Sequence, residues 1–410
     1  MRRQSVDSAV DRFDRWVRNE FVDLNTRLEE GYFEAGGDLV PGRPDLEEAR
    51  RTLTADGARL IARIAADGRV PADAHERYRL LGAVGFHLAA CRRHGTDGAG
   101  PGGGSGPGGG SGGPLTAAWS LANLLGASLG VAPRYVFAHQ SLHNLSVRGA
   151  LHTFTRLDDE HLFVTVNGLA ALAYRRAAEA LRVIPAMGVS NPMAGYPLEN
   201  ARSALGDVLG FNRRLAETLD ADRFRLNIRP YFQSHRVGGT EYRGANAGDF
   251  AAINEIDLLL GLCRADDPFY QGVLAEKRPY VPPGDQAALS AAVTARPLLD
   301  AFLHEASEGP VGPWLRRNAE LFLDVCRAHG AAYAFHHHRL VRPFLEEPAR
   351  PARHLPGESR GPVTAGGSPL DAVIAVLGRL SDLRAARTRP GTAGARAHLD
   401  RLRELLAAGP

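Results

Sequence analysis

The opening residues already restrict the fold. Val6, Val10, Phe13, Val17, Phe21, Leu24 and Leu28 recur at steps of three and four, the period that lines one face of an α-helix, so one long first helix is expected. The same style of pattern returns in RYRLLGAVGFHLAACRRH, AAWSLANLLGASLG, RYVFAHQSLHNL, NGLAALAYRRAAEALRVI, ENARSALGDVLGFNRRLAETL and DFAAINEIDLLLGL. It returns once more in the long segment WLRRNAELFLDVCRAHGAAYAFHHHRLVRPFLEE. Strand-like alternation is nearly absent. The expected fold class is therefore an all-α helical bundle.

Two stretches interrupt this pattern. GTDGAGPGGGSGPGGGSGGP cannot bury enough surface to offset its chain entropy, and the Pro-, Gly- and Arg-rich residues 347–368 have the same defect. The expected organisation is an N-terminal helical region (1–95), a flexible loop (96–114), a helical domain (115–346), a disordered linker (347–368) and a helical tail (369–410). In the tail Leu370, Val373, Ile374, Leu377, Leu380 and Leu383 make one amphipathic stripe, with a weaker helix after it.

Composition excludes several classes of function. The 410 residues are 44% hydrophobic and 23% charged, the balance of a globular chain long enough to enclose a cofactor. Lys277 is the single lysine, the net charge is +3, and no basic run is interleaved with aromatics, so no nucleic-acid partner is expected. Cys91, Cys263 and Cys326 are odd in number and far apart, which implies neither a disulfide framework nor a zinc site. No segment has the length of a membrane span or the apolar core of a signal peptide, and a reducing cytoplasm is the expected compartment.

Three consecutive histidines, His336, His337 and His338, stand out inside YAFHHHRLV. Consecutive helical side chains point about 100° apart, so the three cannot converge on one metal ion. The stripe through His337 contains Cys326, Gly330, Tyr333, Leu340, Val341 and Phe344, which turns this histidine toward the apolar side of the bundle. Periodicity leaves two roles open. One is a core histidine satisfied by a hydrogen bond, and the other is an axial ligand to a haem iron, which needs an imidazole presented on an apolar wall.

A second segment, NIRPYFQSHRVGGTEYRGANAGDFAAINEIDLLLGL, adds to this. Gly238, Gly239, Gly244 and Gly248 permit close backbone approach, and Asp249 or Asn246 could cap a helix beginning near Phe250, whose free amides suit a carboxylate. Arg229, Arg236 and Arg243 offer carboxylate-binding forks. A glycine-rich connection with solvated arginines is the alternative. A nucleotide phosphate is disfavoured, because no GxxxxGK[ST] is present.

The order of these segments resembles the indoleamine and tryptophan 2,3-dioxygenase superfamily of histidine-ligated haem proteins. Within it, FVDLNTRLEEGYFE and RPYFQSHRVGGTEYRGANAGDFAAINEIDLLLGLCRADDPFYQGVLAEKRPYVPP are most similar to the monodechloroaminopyrrolnitrin synthase family. The resemblance runs from residue 10 to 346 and omits the glycine tract and the tail after Pro348. It implies a helical bundle enclosing haem b, with the iron on His337, because only this histidine is followed at the third and fourth positions by aliphatics, Leu340 and Val341. It implies that Arg243, Gly244, Ala247, Tyr333 and Val341 line the cofactor. Arg229, five residues after Phe224, is implied to take a substrate carboxylate, with Phe224, Phe137, Val166, Ala170, Ala245 and Asn246 around the substrate.

The chain departs from the dioxygenases at Val166 and Ala170, where they carry a phenylalanine and a serine. A roomier, less polar pocket follows, so simple conversion of tryptophan to N-formylkynurenine is disfavoured and a halogenated or otherwise modified tryptophan favoured. In the most similar family a chlorinated tryptophan is rearranged and decarboxylated to a phenylpyrrole. The resemblance therefore implies an oxidoreductase of specialised, antibiotic-type metabolism, acting on an aromatic amino acid with dioxygen or a peroxide; a homodimer is the candidate assembly, and the sequence does not fix the oligomeric state. No residue is an obvious general acid or base, although His139 and His143 lie near Phe137 in sequence. A haem-dependent hydroxylase of another amino acid, a non-catalytic haem or indole sensor, and a scaffold with structural histidines are the alternatives, since fold alone does not fix chemistry.

Overall fold

The computed structural model describes residues 8–36, 39–68, 70–97, 113–247, 250–346, 370–387 and 394–408. Its longer helices are α1 (Ala9–Arg18), α2 (Glu20–Glu34), α3 (Pro44–Asp67), α4 (Ala74–Arg93), α5 (Thr116–Leu129), α6 (Asp158–Arg182) and α7 (Gly195–Thr218). They continue with α8 (Ala251–Leu260), α9 (Pro268–Lys277), α10 (Pro283–Thr294), α11 (Leu298–Glu308), α12 (Pro313–His336), α13 (Leu370–Arg384) and α14 (Arg396–Ala408). Among the described residues the strands are β1 (His235–Val237) and β2 (Thr240–Tyr242), an antiparallel pair with Arg236 opposite Glu241. The fold is all-α, as the helical period requires.

The chain forms two compact units, each drawn from separated stretches. One is built chiefly from Met1–Val164 and Leu219–Asp249, the other from Thr165–Thr218, Phe250–Pro362 and Pro369–Pro410. The first has an aromatic core in which Phe154 stacks on Tyr231 with ring centres 4.0 Å apart and meets Phe86 at 4.6 Å. Gly85 of α4 permits this packing, since a Cβ there would come within 2.2 Å of the Tyr135 backbone nitrogen. In the second unit the small residues Ala201 and Ala204 are buried with Leu205 and Val208 along one face of α7, which runs against α12. There the Asn212 side-chain amide donates to the Ala332 carbonyl at 3.5 Å.

Some elements differ from the periodic reading. The single long first helix is two, because Asn19 leaves the helical region (φ −125°, ψ −87°) and its side-chain amide donates to the Arg15 carbonyl at 2.7 Å, a local bond that competes with the helix ladder. Val6 lies outside the described residues. RYVFAHQSLHNL is helical only over Phe137–Gln140. Beyond it Asn144 bonds both the N–H and the carbonyl of His152, at 2.9 and 2.7 Å, and the buried Arg18 guanidinium donates to the carbonyls of Leu145 and Ala150, so side chains take the place of backbone partners. The glycine-rich segment holds a hairpin where a loop was expected. Gly238, with φ at +62°, makes its turn.

The helix after GANAG starts at Ala251 with Phe250 at its N-cap and no side-chain cap, so Asn246 is not its cap; Asp249 and Gly248 lie outside the described residues. So do all of residues 347–368 and most of the tract 96–114. The two tail helices bury Leu380 and Leu383 of α13 and Leu399, Leu402 and Leu406 of α14, all in the core of the second unit.

Candidate functional site

The histidine run marks a change of helix type. α12 ends at His336, and His337–Glu346 continues as a π-helix with Pro343 inside it. In an α-helix Pro343 would lose the bond to the Arg339 carbonyl and clash with it, and the wider π geometry relieves that conflict. Of the three histidines His337 alone is buried, at 7% exposure, while His338 is exposed and His336 half-buried. Leu340 and Val341 are buried with it, as is Tyr333 one turn earlier. The His338 ring stands edge-on to His337, with centres 5.1 Å apart.

These residues fit a haem held by one histidine. His337 is a single imidazole buried together with Leu340, Val341 and Tyr333, the apolar setting that a haem held by one histidine needs. Val166 and Ala170, on α6, are both buried in the second unit, each 2% exposed.

The same unit contains a charge cluster that periodicity does not show. Asp257 of α8, His329 of α12 and Arg384 of α13 are wholly buried, and the Asp257 carboxylate accepts from Arg384 Nε at 2.8 Å and Nη2 at 2.6 Å, from His329 Nε2 at 2.7 Å and from the Tyr270 hydroxyl at 2.7 Å. Burial alone would raise the Asp257 pKa, but the Arg384 guanidinium and the His329 hydrogen bond hold it well below the carboxylate range. Arg384 also lies 4.0 Å above the Tyr333 ring. The ring implied to face a cofactor thus carries the tail's guanidinium on one face.

In the first unit the implied substrate residues gather on an aromatic cluster. Phe137 and Phe224 are buried and each packs on Phe163, at 5.6 and 5.1 Å, while Phe232 lies 6.2 Å from Phe137 and 5.6 Å from Phe163. Phe163 and Phe232 were missed in the sequence. A signal existed for Phe163, which stands three residues before Val166 and seven before Ala170 on one helix. Phe224 opens a π-helical turn, Phe224–Ile228, and Arg229 starts the 3₁₀ turn Arg229–Phe232, with Arg229 half-buried.

The hairpin sorts the other two arginines. Arg236 points outward and is exposed, whereas Arg243 is half-buried and its carbonyl accepts from the fully buried Arg134, which also donates to the Gln233 carbonyl at 3.3 Å. Arg134 therefore ties both flanks of the hairpin together. Gly244 and Ala245 are buried and Asn246 is exposed; the Ala247 side chain lies outside the described residues. His139 has no free valence for acid–base work: its Nδ1 accepts from the Val136 N–H at 3.0 Å, its Nε2–H donates to the Tyr78 carbonyl at 3.0 Å, and burial pulls its pKa down to about 3. His143 is half-buried, edge-on to Tyr78.

Among the described residues no helix is long and apolar enough to cross a membrane. A family model described as monodechloroaminopyrrolnitrin synthase PrnB matches residues 7–406. That match extends beyond residue 346 and takes in both tail helices, which the resemblance read from the sequence had left out. No curated protein matches the chain.

Proposed function

We propose, for a chain that belongs to the monodechloroaminopyrrolnitrin synthase family, and so to the haem-dependent oxygenase-like enzymes of the indoleamine and tryptophan 2,3-dioxygenase superfamily, that it transforms a halogenated or otherwise modified tryptophan. In this reading His337 holds the iron of a haem b. The observation that carries it is selective burial: of three consecutive histidines, only the one followed by Leu340 and Val341 is buried with apolar neighbours. When bound, the haem supplies the redox chemistry with dioxygen or a peroxide.

The chain's own residues supply position. Arg229 takes the amino-acid carboxylate, for which a planar fork gives two parallel hydrogen bonds. Phe137, Phe163 and Phe224 form an apolar surface suited to an indole ring, excluding water from it. Val166 and Ala170 supply less bulk and no hydroxyl compared with the dioxygenases, which leaves room for a ring substituent. The His139 network holds that imidazole neutral, so it delivers no proton.

The test is single turnover of the haem-loaded, ferrous protein with L-tryptophan or chlorinated L-tryptophan under oxygen, followed by mass spectrometry of the small molecule. Consumption of the chlorinated substrate in preference to tryptophan is expected. Recovery of both amino acids unaltered would make the protein a sensor and overturn the reading.

A further inference from the structure

FVDLNTRLEEGYFE carries polar residues on a helix face that should be apolar, and the substrate reading gives them no task. In α2, Asn25, Glu29 and Tyr32 are each 0% exposed. The Glu29 carboxylate accepts from Arg93 Nε and Nη2, both at 2.8 Å, and from the Asn227 amide at 3.0 Å; the same amide donates to the Glu29 carbonyl at 3.0 Å. Arg93 Nη2 reaches on to the Leu226 carbonyl at 2.9 Å. Asn25 Oδ1 accepts from His94 Nε2 at 2.7 Å and from the Tyr231 hydroxyl at 3.1 Å, while Tyr32 hydrogen-bonds His94 Nδ1 at 3.1 Å. The Tyr135 hydroxyl adds a bond to the Tyr231 carbonyl at 2.9 Å.

The groups these side chains hold share one location. Leu226, Asn227 and Tyr231 lie within the π turn and 3₁₀ turn that contain Phe224 and Arg229. Such a segment lacks the regular i→i−4 ladder and the rigidity it confers, so its shape must be fixed from outside. Hydrogen bonds from α2 and α4 do this on one side, and the Tyr135 hydroxyl does it on another. A buried polar cluster of this kind also selects one arrangement, because any slip leaves a charge or amide unpaired.

We infer that Glu29, Arg93 and Asn227 are positioning residues: they set the register of the Phe224–Phe232 segment and thereby the affinity of Arg229 for an amino-acid carboxylate, without touching substrate. This rests on the substrate reading of Arg229 for its functional half only. Asn227 is the residue to vary, since replacing it leaves the Glu29–Arg93 pair intact, whereas Glu29→Gln would strand the buried Arg93 cation and risk the fold.

The experiment uses the haem-loaded full chain, with hydrogen exchange of peptides covering 219–232 and Soret titration with L-tryptophan. Asn227→Ala is expected to keep wild-type haem content, to speed exchange in those peptides alone, and to weaken tryptophan binding about tenfold. Asn227→Asp faces Glu29 directly, and the other charged and titratable groups that act on Glu29 are Arg93, Tyr32, Tyr231 and Glu160. Two adjacent carboxylates share a proton, so this variant should bind tryptophan better as pH falls, a dependence that neither the wild type nor the alanine variant shows. Unchanged exchange in both variants overturns the inference. Faster exchange with unchanged tryptophan affinity removes its functional half, and Arg229→Lys then decides between the two readings. If Arg229→Lys weakens binding, the clamp has no effect on affinity; if it does not, Arg229 is not the carboxylate site.

Discussion

Replacing Arg384 by methionine is the perturbation that most directly tests how the tail serves the second unit. The substitution keeps a linear apolar side chain of similar reach but removes both guanidinium nitrogens that meet Asp257, at 2.8 and 2.6 Å. His329 and Tyr270 still donate to the carboxylate, yet the guanidinium that neutralises it is gone in a wholly buried place. Removing one member of a buried pair costs about 3–5 kcal/mol, mostly from the charge left behind. Two retained hydrogen bonds place the expected loss near the lower figure. The pH dependence has a definite sign. Asp257 is held well below the usual carboxylate pKa, so its contribution is complete above the unfolded value near 4 and is lost as pH falls below it. In the variant the carboxylate pKa rises, and the deficit relative to wild type should therefore shrink on acidification from pH 7 toward pH 4. Urea unfolding followed by circular dichroism measures both, and the double variant Arg384→Met, Asp257→Asn should recover part of the loss. A deficit below about 1 kcal/mol, or one that grows at low pH, would refute the reasoning that the pair is buried and ionised.

The remaining predictions concern the site and a second buried acid. His337→Ala should abolish the normal Soret band, with partial return on adding imidazole, while His336→Ala and His338→Ala keep it and lose roughly 0.5–1 kcal/mol of stability; absorption spectra and haem occupancy decide. Arg229→Lys should weaken tryptophan binding by about tenfold or more with haem content unchanged, since a point charge replaces a fork worth roughly 1.5–3 kcal/mol net; loss of haem instead would assign Arg229 to the cofactor. Glu160 is buried and pushed up to about 7 despite accepting from Phe154 N–H, Thr155 N–H and the Thr155 hydroxyl, each at 2.7 Å. The native state then holds a proton that the unfolded chain has released. Stability from this group falls as pH rises from about 4.5 to about 7, by on the order of 2–3 kcal/mol, and thermal melts of Glu160→Gln should lack that slope.

Apolar periodicity exposed much of the fold because burial is what it records. It finds α4, α5, α7 and α12, and the face of His337, since these depend on which side chains avoid water. Breaks that depend on one polar side chain were not legible: Asn19 ends a helix through a bond to its own neighbour, and Asn144 substitutes for a strand across an irregular turn. Pairings across long separations were equally hidden. Arg384 and Asp257 stand 127 residues apart, and Glu29 and Asn227 stand 198 apart, so no local pattern could join them. Phe224, Arg229 and His337 came from resemblance. Phe163 did not, although its spacing of three and seven residues from Val166 and Ala170 sets it on their face of one helix.

Two irregular helical segments share one feature that bears on how the chain meets its ligands. Phe224 begins one π-helical stretch and His337 begins the other, so one residue implied to face the substrate and the one implied to hold the iron both stand where the backbone widens. A widened turn turns side chains away from the positions that a 100° step gives, and π-bulges are frequent at functional sites for that reason. Its cost is a weaker ladder that neighbouring groups must support. At Phe224 that support is the Glu29, Arg93 and Asn227 network. At His337 the α-helix leading into the π segment is held through His329, which bonds Asp257, and Tyr333, which packs under Arg384. The tail helix α13 packs on both α12 and the histidine segment and sets its Arg384 guanidinium over Tyr333, which makes haem retention a readout for Arg384→Met. Haem should dissociate faster from that variant than from wild type under conditions where both are folded, measured by transfer to apomyoglobin. Equal transfer rates would show that the Asp257 cluster stabilises the fold without positioning His337.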